Sequence, residues 1–297
     1  MRPFAVLIAC VALLSCSAQP SSVDAGVVFP DSVTPTRDAG SAAPDAGIDS
    51  RPDAGHDAQD AGTPGPDAGS AAQRLFIPSY FYPGAAWAQA TAAAPGVGVL
   101  VINPASGPGA QVDAAYAQVT QAARAAGITV LGYVSTSYGS RDAAAVTADI
   151  HAYFDRYAVS GIFLDEAPGT ATCGALQAHY AALAAVVKGR APGGVVVLNP
   201  GTDTCEGYLS FADILCTFEG EVPAYDAYVL PAWMQAWPQD RFLHLVHNVP
   251  AWDAQRVTAL TRERRAGWVY VTDDVLPNPW DTLPSYFESE RSWLAAP

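Results

Sequence analysis

Four acids stand where apolar runs end. Asp165 and Glu166 close the run Ile162-Phe163-Leu164, after which Pro168 and Gly169 stop the chain. Glu219 and Glu221 close the run through Ile214, Leu215 and Phe218. Two carboxylates facing each other across a pocket are the minimum for cleaving a glycosidic bond. One protonates the leaving oxygen, and the other attacks the sugar or activates water. A retaining pair stands about 5–5.5 Å apart and an inverting pair about 6.5–9.5 Å. Similar positions hold Tyr80 and Tyr82, Asn103, Tyr133, Asn199, His247 and Asn248, and Asp273 and Asp274. Aromatic rings suit the C–H faces of sugars, and amide and imidazole groups suit their hydroxyls.

Placing these residues together is the task of the elements that carry them. Strand-like runs fall at 74–82, 97–104, 129–136, 160–166, 195–201, 213–221, 241–249 and 267–274. Most are continuous apolar runs, as expected of parallel strands covered on both faces. Ala-rich helical segments lie between them, including 110–127 with a Gly stop and 140–161 with Ser140 as its N-cap. Strand and helix in alternation over about 224 residues, 74–297, point to a single α/β domain, a (β/α)8 TIM-type barrel. An open doubly wound sheet is the alternative, but no GxGxxG follows the first strand. In a barrel the chemistry sits at the C-terminal strand ends, where the acids, amides and aromatics fall. Asp165 ends the fourth strand and Glu219 the sixth, so two strand spacings of about 4.8 Å separate their backbones.

Blander roles compete for the same residues. Asp165 and Glu166 could pair with Arg141 or cap a loop, and Glu219 and Glu221 could be solvated rim acids. Tyr80 and Tyr82 share a strand face, which core packing also explains. His244 and His247 lie three apart on a strand, so they face opposite sides and do not share a metal site. No CxxC or Cys/His cluster suggests zinc, and no metal or cofactor is expected.

The ends of the chain carry other signals. Arg2 and the apolar run that follows form a signal segment over 1–16, too short for a lasting membrane span. "LLSC" at 13–16 resembles a bacterial lipobox, which makes Cys16 the lipidated residue of an envelope lipoprotein, expected to be surface-exposed. A secretory signal cut near Ala18 is the alternative. Residues 17–73 repeat Asp-Ala-Gly from Asp24, Asp38, Asp45, Asp53, Asp60 and Asp67, with nine Asp against two Arg. Such a segment buries too little apolar surface to offset its ordering entropy, so it is expected to be a disordered, acidic tether. The domain itself holds twenty acids and twelve bases with no basic patch, which argues against a nucleic-acid partner. Its cysteines are Cys173, Cys205 and Cys216. Cys173 and Cys205 follow strands on neighbouring loops and are expected to pair in an oxidising exterior, while Cys216 sits inside an apolar run.

The motifs "PSYFYP", "VLVINPASGPG", "VLGYVSTSYGSR", "VSGIFLDEAP", "VVLNPGT" and "TFEGE", in this order, resemble the spherulin-4-like family, which contains glycoside hydrolase family 135. The resemblance runs from Leu75 to Asp274 and implies a (β/α)8 barrel. It implies endo-hydrolysis of α-1,4-linked galactosamine or N-acetylgalactosamine polymers of a biofilm matrix. Asp165 matches the family's fourth-strand catalytic aspartate, Glu166 its neighbour and Glu219 the sixth-strand catalytic glutamate. The reading takes Asp165 as nucleophile and Glu219 as general acid/base, with the exchange of roles open. Tyr80, Asn103, Tyr133, Tyr138, Asn199, His247 and Asp274 are then expected to bind substrate. The partners expected are a polysaccharide and, through Cys16, a membrane, with the chain a monomer. The alternatives are a non-catalytic carbohydrate-binding or coat protein on the same barrel, and a deacetylase, which usually needs a rim set of His and Asp for a metal.

Overall fold

The apolar runs become the wall of a closed, all-parallel barrel in which each strand pairs with its sequence neighbours and β8 returns to β1. The structure, a computed structural model, describes residues 72–295. The expected signal segment with Cys16 and residues 17–71 of the expected tether lie outside the described residues. The strands are β1 (Arg74–Ser79), β2 (Val97–Ile102), β3 (Thr129–Ser135), β4 (Gly161–Asp165), β5 (Val195–Asn199), β6 (Ile214–Glu221), β7 (Phe242–His247) and β8 (Trp268–Val271). The helices are α1 (Ala85–Ala92), α2 (Ala114–Ala125), α3 (Ala143–Tyr157), α4 (Cys173–Arg190), α5 (Val222–Asp226), α6 (Ala254–Glu263) and α7 (Phe287–Ala295). None of the described helices is long and apolar enough to cross a membrane.

The strands lack alternation because both faces are covered. β2 is buried along its whole length. Inside the barrel Phe76 lies 5.8 Å from Phe163 and 6.3 Å from Trp268, and Tyr133 lies 6.5 Å from Phe163, ring centre to ring centre. Trp268 fits because residue 98 is glycine: a Cβ there would stand 2.6 Å from the indole. Aromatics thus fill the middle of the barrel, and polar side chains begin above them at the C-terminal strand ends.

The elements depart from the sequence reading in two places. Ser140 is not the cap of α3. Asp142 is, with its side chain accepting from the Ala145 N–H at 3.0 Å, while the Ser140 hydroxyl donates to the Ser137 carbonyl at 2.6 Å. Ser137 and Tyr138 have φ of 48° and 55°, which turns the chain before a helix can start. The β5–β6 connection holds a 3-10 turn, Glu206–Ser210, instead of an α-helix. Pro200, Gly201 and Gly207 interrupt that stretch, and a disulfide joins Cys205 to Cys173 at the start of α4, with Cα atoms 5.8 Å apart. Cys216 is a buried free thiol.

Candidate active site

Strands β4, β5 and β6 deliver three polar side chains to one point. Asp165 lies beside Asn199 in the β4–β5 ladder. The Asn199 Nδ2 donates to Asp165 Oδ1 at 2.7 Å and to Glu219 Oε2 at 2.6 Å. The two facing oxygens are therefore separated by no more than the two bonds combined, about 5.3 Å.

Glu219 reaches that point through a β-bulge between Cys216 and Phe218. The Thr217 hydroxyl and His244 Nε2 lie 3.1 Å apart, and the Phe218 ring packs on Tyr225 at 4.6 Å and on Tyr228 at 5.4 Å. Two consecutive side chains thus leave on the same side of β6. Glu219 then returns to the side of Cys216, whose thiol feels the charges of Glu219 and Asp165. Re-aiming a side chain next to a site is a common use of a bulge.

A different device separates Asp165 from Glu166. Glu166 has φ of 55°, the left-handed region that a branched or bulky residue rarely enters. Its carbonyl accepts from the Tyr138 N–H at 2.7 Å and from the Thr136 hydroxyl at 2.9 Å. Its carboxylate accepts from the Ser135 hydroxyl and, at 3.2 Å, from the Ser137 N–H. Asp165 thus faces the barrel axis while Glu166 ties down the loop after β3. Arg141 takes neither acid as partner; its guanidinium bonds Asp149 and the Ser135 carbonyl.

Burial drives the electrostatics of the pair. Desolvation first, and the negative charge of Asp165 second, push the Glu219 carboxyl up to about 7 from 4.5, against hydrogen bonds from Asn199 and Trp280. Burial also raises Asp165 above its ordinary range. Three donors oppose that rise: the Tyr133 hydroxyl, Asn199 and the Glu166 backbone N–H. Two close carboxylates titrate as a unit. Because Asp165 has more donors for its charged form, the shared proton rests on Glu219. Burial pushes the Tyr80 and Tyr133 phenols well up, so both remain neutral donors.

The remaining residues divide in two. Tyr80 meets Tyr133 edge-on at 5.4 Å and feels both acids, and Tyr138 stands 63% exposed above them. His247 is buried, packs edge-on against Trp280 at 5.9 Å and keeps Nδ1 without a hydrogen-bond partner. Burial lowers the His247 pKa, against the charge of Glu221 opposite it on β6. Asn103 turns elsewhere, accepting from the Gly107 N–H at 2.9 Å within its own loop. Asp274 accepts from the Thr282 hydroxyl at 2.5 Å within the β8–α7 loop. Tyr82 is 65% exposed and donates to Asp113 at 3.2 Å. Trp280, which bonds Glu219, escaped the sequence reading. It sits nine residues past β8, and the Tyr80 N–H to Trp280 carbonyl bond of 3.0 Å brings it back over β1. Among the described residues, no group of three His, Cys, Asp or Glu could hold a metal ion.

Fold and site together define a (β/α)8 barrel with two half-buried, amide-bridged carboxylates at its C-terminal mouth. The sequence profile of spherulation-specific family 4 matches residues 74–293, and the chain belongs to that family. It is 32% identical over 237 residues to spherulin-4 of Physarum polycephalum, an alignment covering 75% of this chain and 70% of that one. The crystal structure of Aspergillus clavatus Sph3 in complex with GalNAc is similar, with a TM-score of 0.65 and 27% identity. That match covers 75% of this chain and 98% of Sph3.

Proposed function

We propose that the barrel is a retaining, endo-acting glycoside hydrolase of the family 135 kind. Its substrate is an α-1,4-linked galactosamine or N-acetylgalactosamine-type exopolysaccharide, and a lipid on Cys16 tethers it to a bacterial surface. The observation that carries the reading is the pair of acids on one amide, Asp165 and Glu219, with facing oxygens within about 5.3 Å. That spacing suits a retaining pair and leaves too little room for the extra water of an inverting one.

The chemistry follows from the two environments. Ionised Asp165 attacks the anomeric carbon, and the bond to the leaving oxygen breaks as Glu219 gives that oxygen its proton. Glu219, now ionised, takes a proton from water, the water oxygen bonds the anomeric carbon, and Asp165 leaves. Glu219 near 7 holds its proton in mildly acidic to neutral water and can give it up during the reaction. Tyr138 and Trp252, 63% and 85% exposed on loops after β3 and β7, offer rings to a bound chain. The GalNAc held by the Aspergillus clavatus relative supports the choice of sugar. The full chain, incubated with purified α-1,4-linked galactosamine polymer, should release mixed oligosaccharides whose new ends are first α by NMR. New ends that are first β, or monosaccharide alone, would overturn the retaining or the endo assignment.

A further inference from the structure

The Asn199 amide is held at one end only. Both hydrogens of Nδ2 are in use, one on each acid. Its Oδ1 is buried without a hydrogen-bond partner, in a side chain 6% exposed. Gly201 stands beside it with φ of +64°, and a Cβ there would lie 3.8 Å from Oδ1 and 3.3 Å from the Glu219 Cβ. The amide orientation follows from ionised Asp165, toward which the reverse would turn an acceptor. An amide gripped only by the two acids moves with both. It is also the group that stands between the two acids whose separation decides the reaction course.

We propose that Asn199 is a positioning residue that acts through Asp165 and Glu219, holding their facing oxygens at the retaining distance and coupling the orientation of one acid to that of the other. The proposal rests on the hydrolase reading for its consequence in catalysis, while the coupling of the acids belongs to the free protein.

The groups around the pair do not duplicate this role. Tyr133 and the Glu166 N–H bond Asp165, and Trp280 bonds Glu219, each serving a single acid. Tyr80 just past β1 and Cys216 on β6 lie beside the pair, and burial pushes both well up, so neither becomes a charge. Tyr138 above the pair is likewise raised. Glu221 and His247 stand one layer out, with His247 lowered by burial and the Glu166 carboxylate turned to Ser135. Asn199 alone among these donates to both acids. Its bonds favour the charged form of each, so losing them moves both titrations to higher pH.

Asn199→Ala in the full chain is the test, with two readouts. The first is the pH dependence of kcat and KM on α-1,4-linked galactosamine polymer. We expect kcat to fall tenfold or more, with KM within about twofold. Both limbs should move up by about one pH unit, the size expected for losing a hydrogen bond to a charged group. The second readout needs no substrate: carbon-13 NMR titration of carboxyl-labelled protein, with the two signals assigned from Asp165→Asn and Glu219→Gln. Both titrations should move up in Asn199→Ala. An unmoved pH profile with a raised KM would make Asn199 a sugar contact only and overturn the proposal, as would unmoved NMR titrations. If the NMR shifts appear but the wild type cleaves no polymer, the coupling stands and the hydrolase reading fails. Should the alanine variant not fold, Asn199→Leu keeps the volume, removes both donors and should likewise raise both titrations; unmoved titrations there would overturn the proposal.

Discussion

Glu219→Gln should make the protein more stable in alkaline solution while removing its activity. In the folded chain burial holds the Glu219 carboxyl near 7, against an ordinary 4.5. The folded state therefore binds that proton more tightly than the unfolded state, by about 3 kcal/mol at 1.36 kcal/mol per pH unit. The sign follows. Stability from this group is fully present below the unfolded carboxyl range and is lost as pH rises through about 7. Solvent at the barrel mouth and relaxation around the ion reduce the penalty, so about 1–2 kcal/mol remains. Glutamine keeps the acceptor for the Asn199 amide and never ionises. At pH 8.5 the variant should melt about 2–8 °C above wild type, and at pH 4 the two should coincide. Thermal unfolding followed by circular dichroism at both pH values is the assay. A difference that is the same at pH 4 and pH 8.5, or wild type the more stable at pH 8.5, would refute the claim that Glu219 is a raised, desolvated acid.

Tyr133→Phe removes a hydroxyl donor from Asp165, so the acidic limb of the pH–rate profile should move up more than the basic limb, which follows only through the coupling of the two acids. Replacing both Cys173 and Cys205 by Ala opens a loop of 32 residues and should cost about 3–4 kcal/mol, seen as a lower urea midpoint with a steeper slope, because the uncrosslinked unfolded chain exposes more surface. Metabolic labelling with a fatty-acid analogue should mark wild type and spare Cys16→Ser; equal labelling of both removes the lipoprotein proposal.

Much of the fold was legible because parallel strands covered on both faces leave uninterrupted runs such as Val97–Ile102, with acids and amides gathered at one end. Asp165 and Glu219 could be named as strand-end acids for the same reason. How they meet was hidden. Strict alternation from Cys216 would turn Glu219 away from the barrel, and only the bulge at Thr217 and Phe218 brings it back. Adjacent acids gave no sign that a left-handed Glu166 would send their carboxylates to different partners. Asn103 and Asp274 had the right types and positions, yet each satisfies its own loop, a local bond that sequence does not separate from a site contact. Trp280 was lost because a residue deep in a long loop is placed by the loop's path, here the bond from the Tyr80 N–H.

In the proposed reaction Asp165 and Glu219 flank the bond that breaks. Reducing-end release from α-1,4-linked galactosamine polymer by wild type, Asp165→Asn and Glu219→Gln measures it most directly. Both substitutions keep the shape of the site, so all three proteins should fold and retain the polymer, yet each variant should turn over at least 10²–10⁴-fold more slowly, the range general acid–base help alone supplies. A folded, polymer-binding Asp165→Asn or Glu219→Gln protein that cleaves at near wild-type rate would contradict the two-carboxylate account.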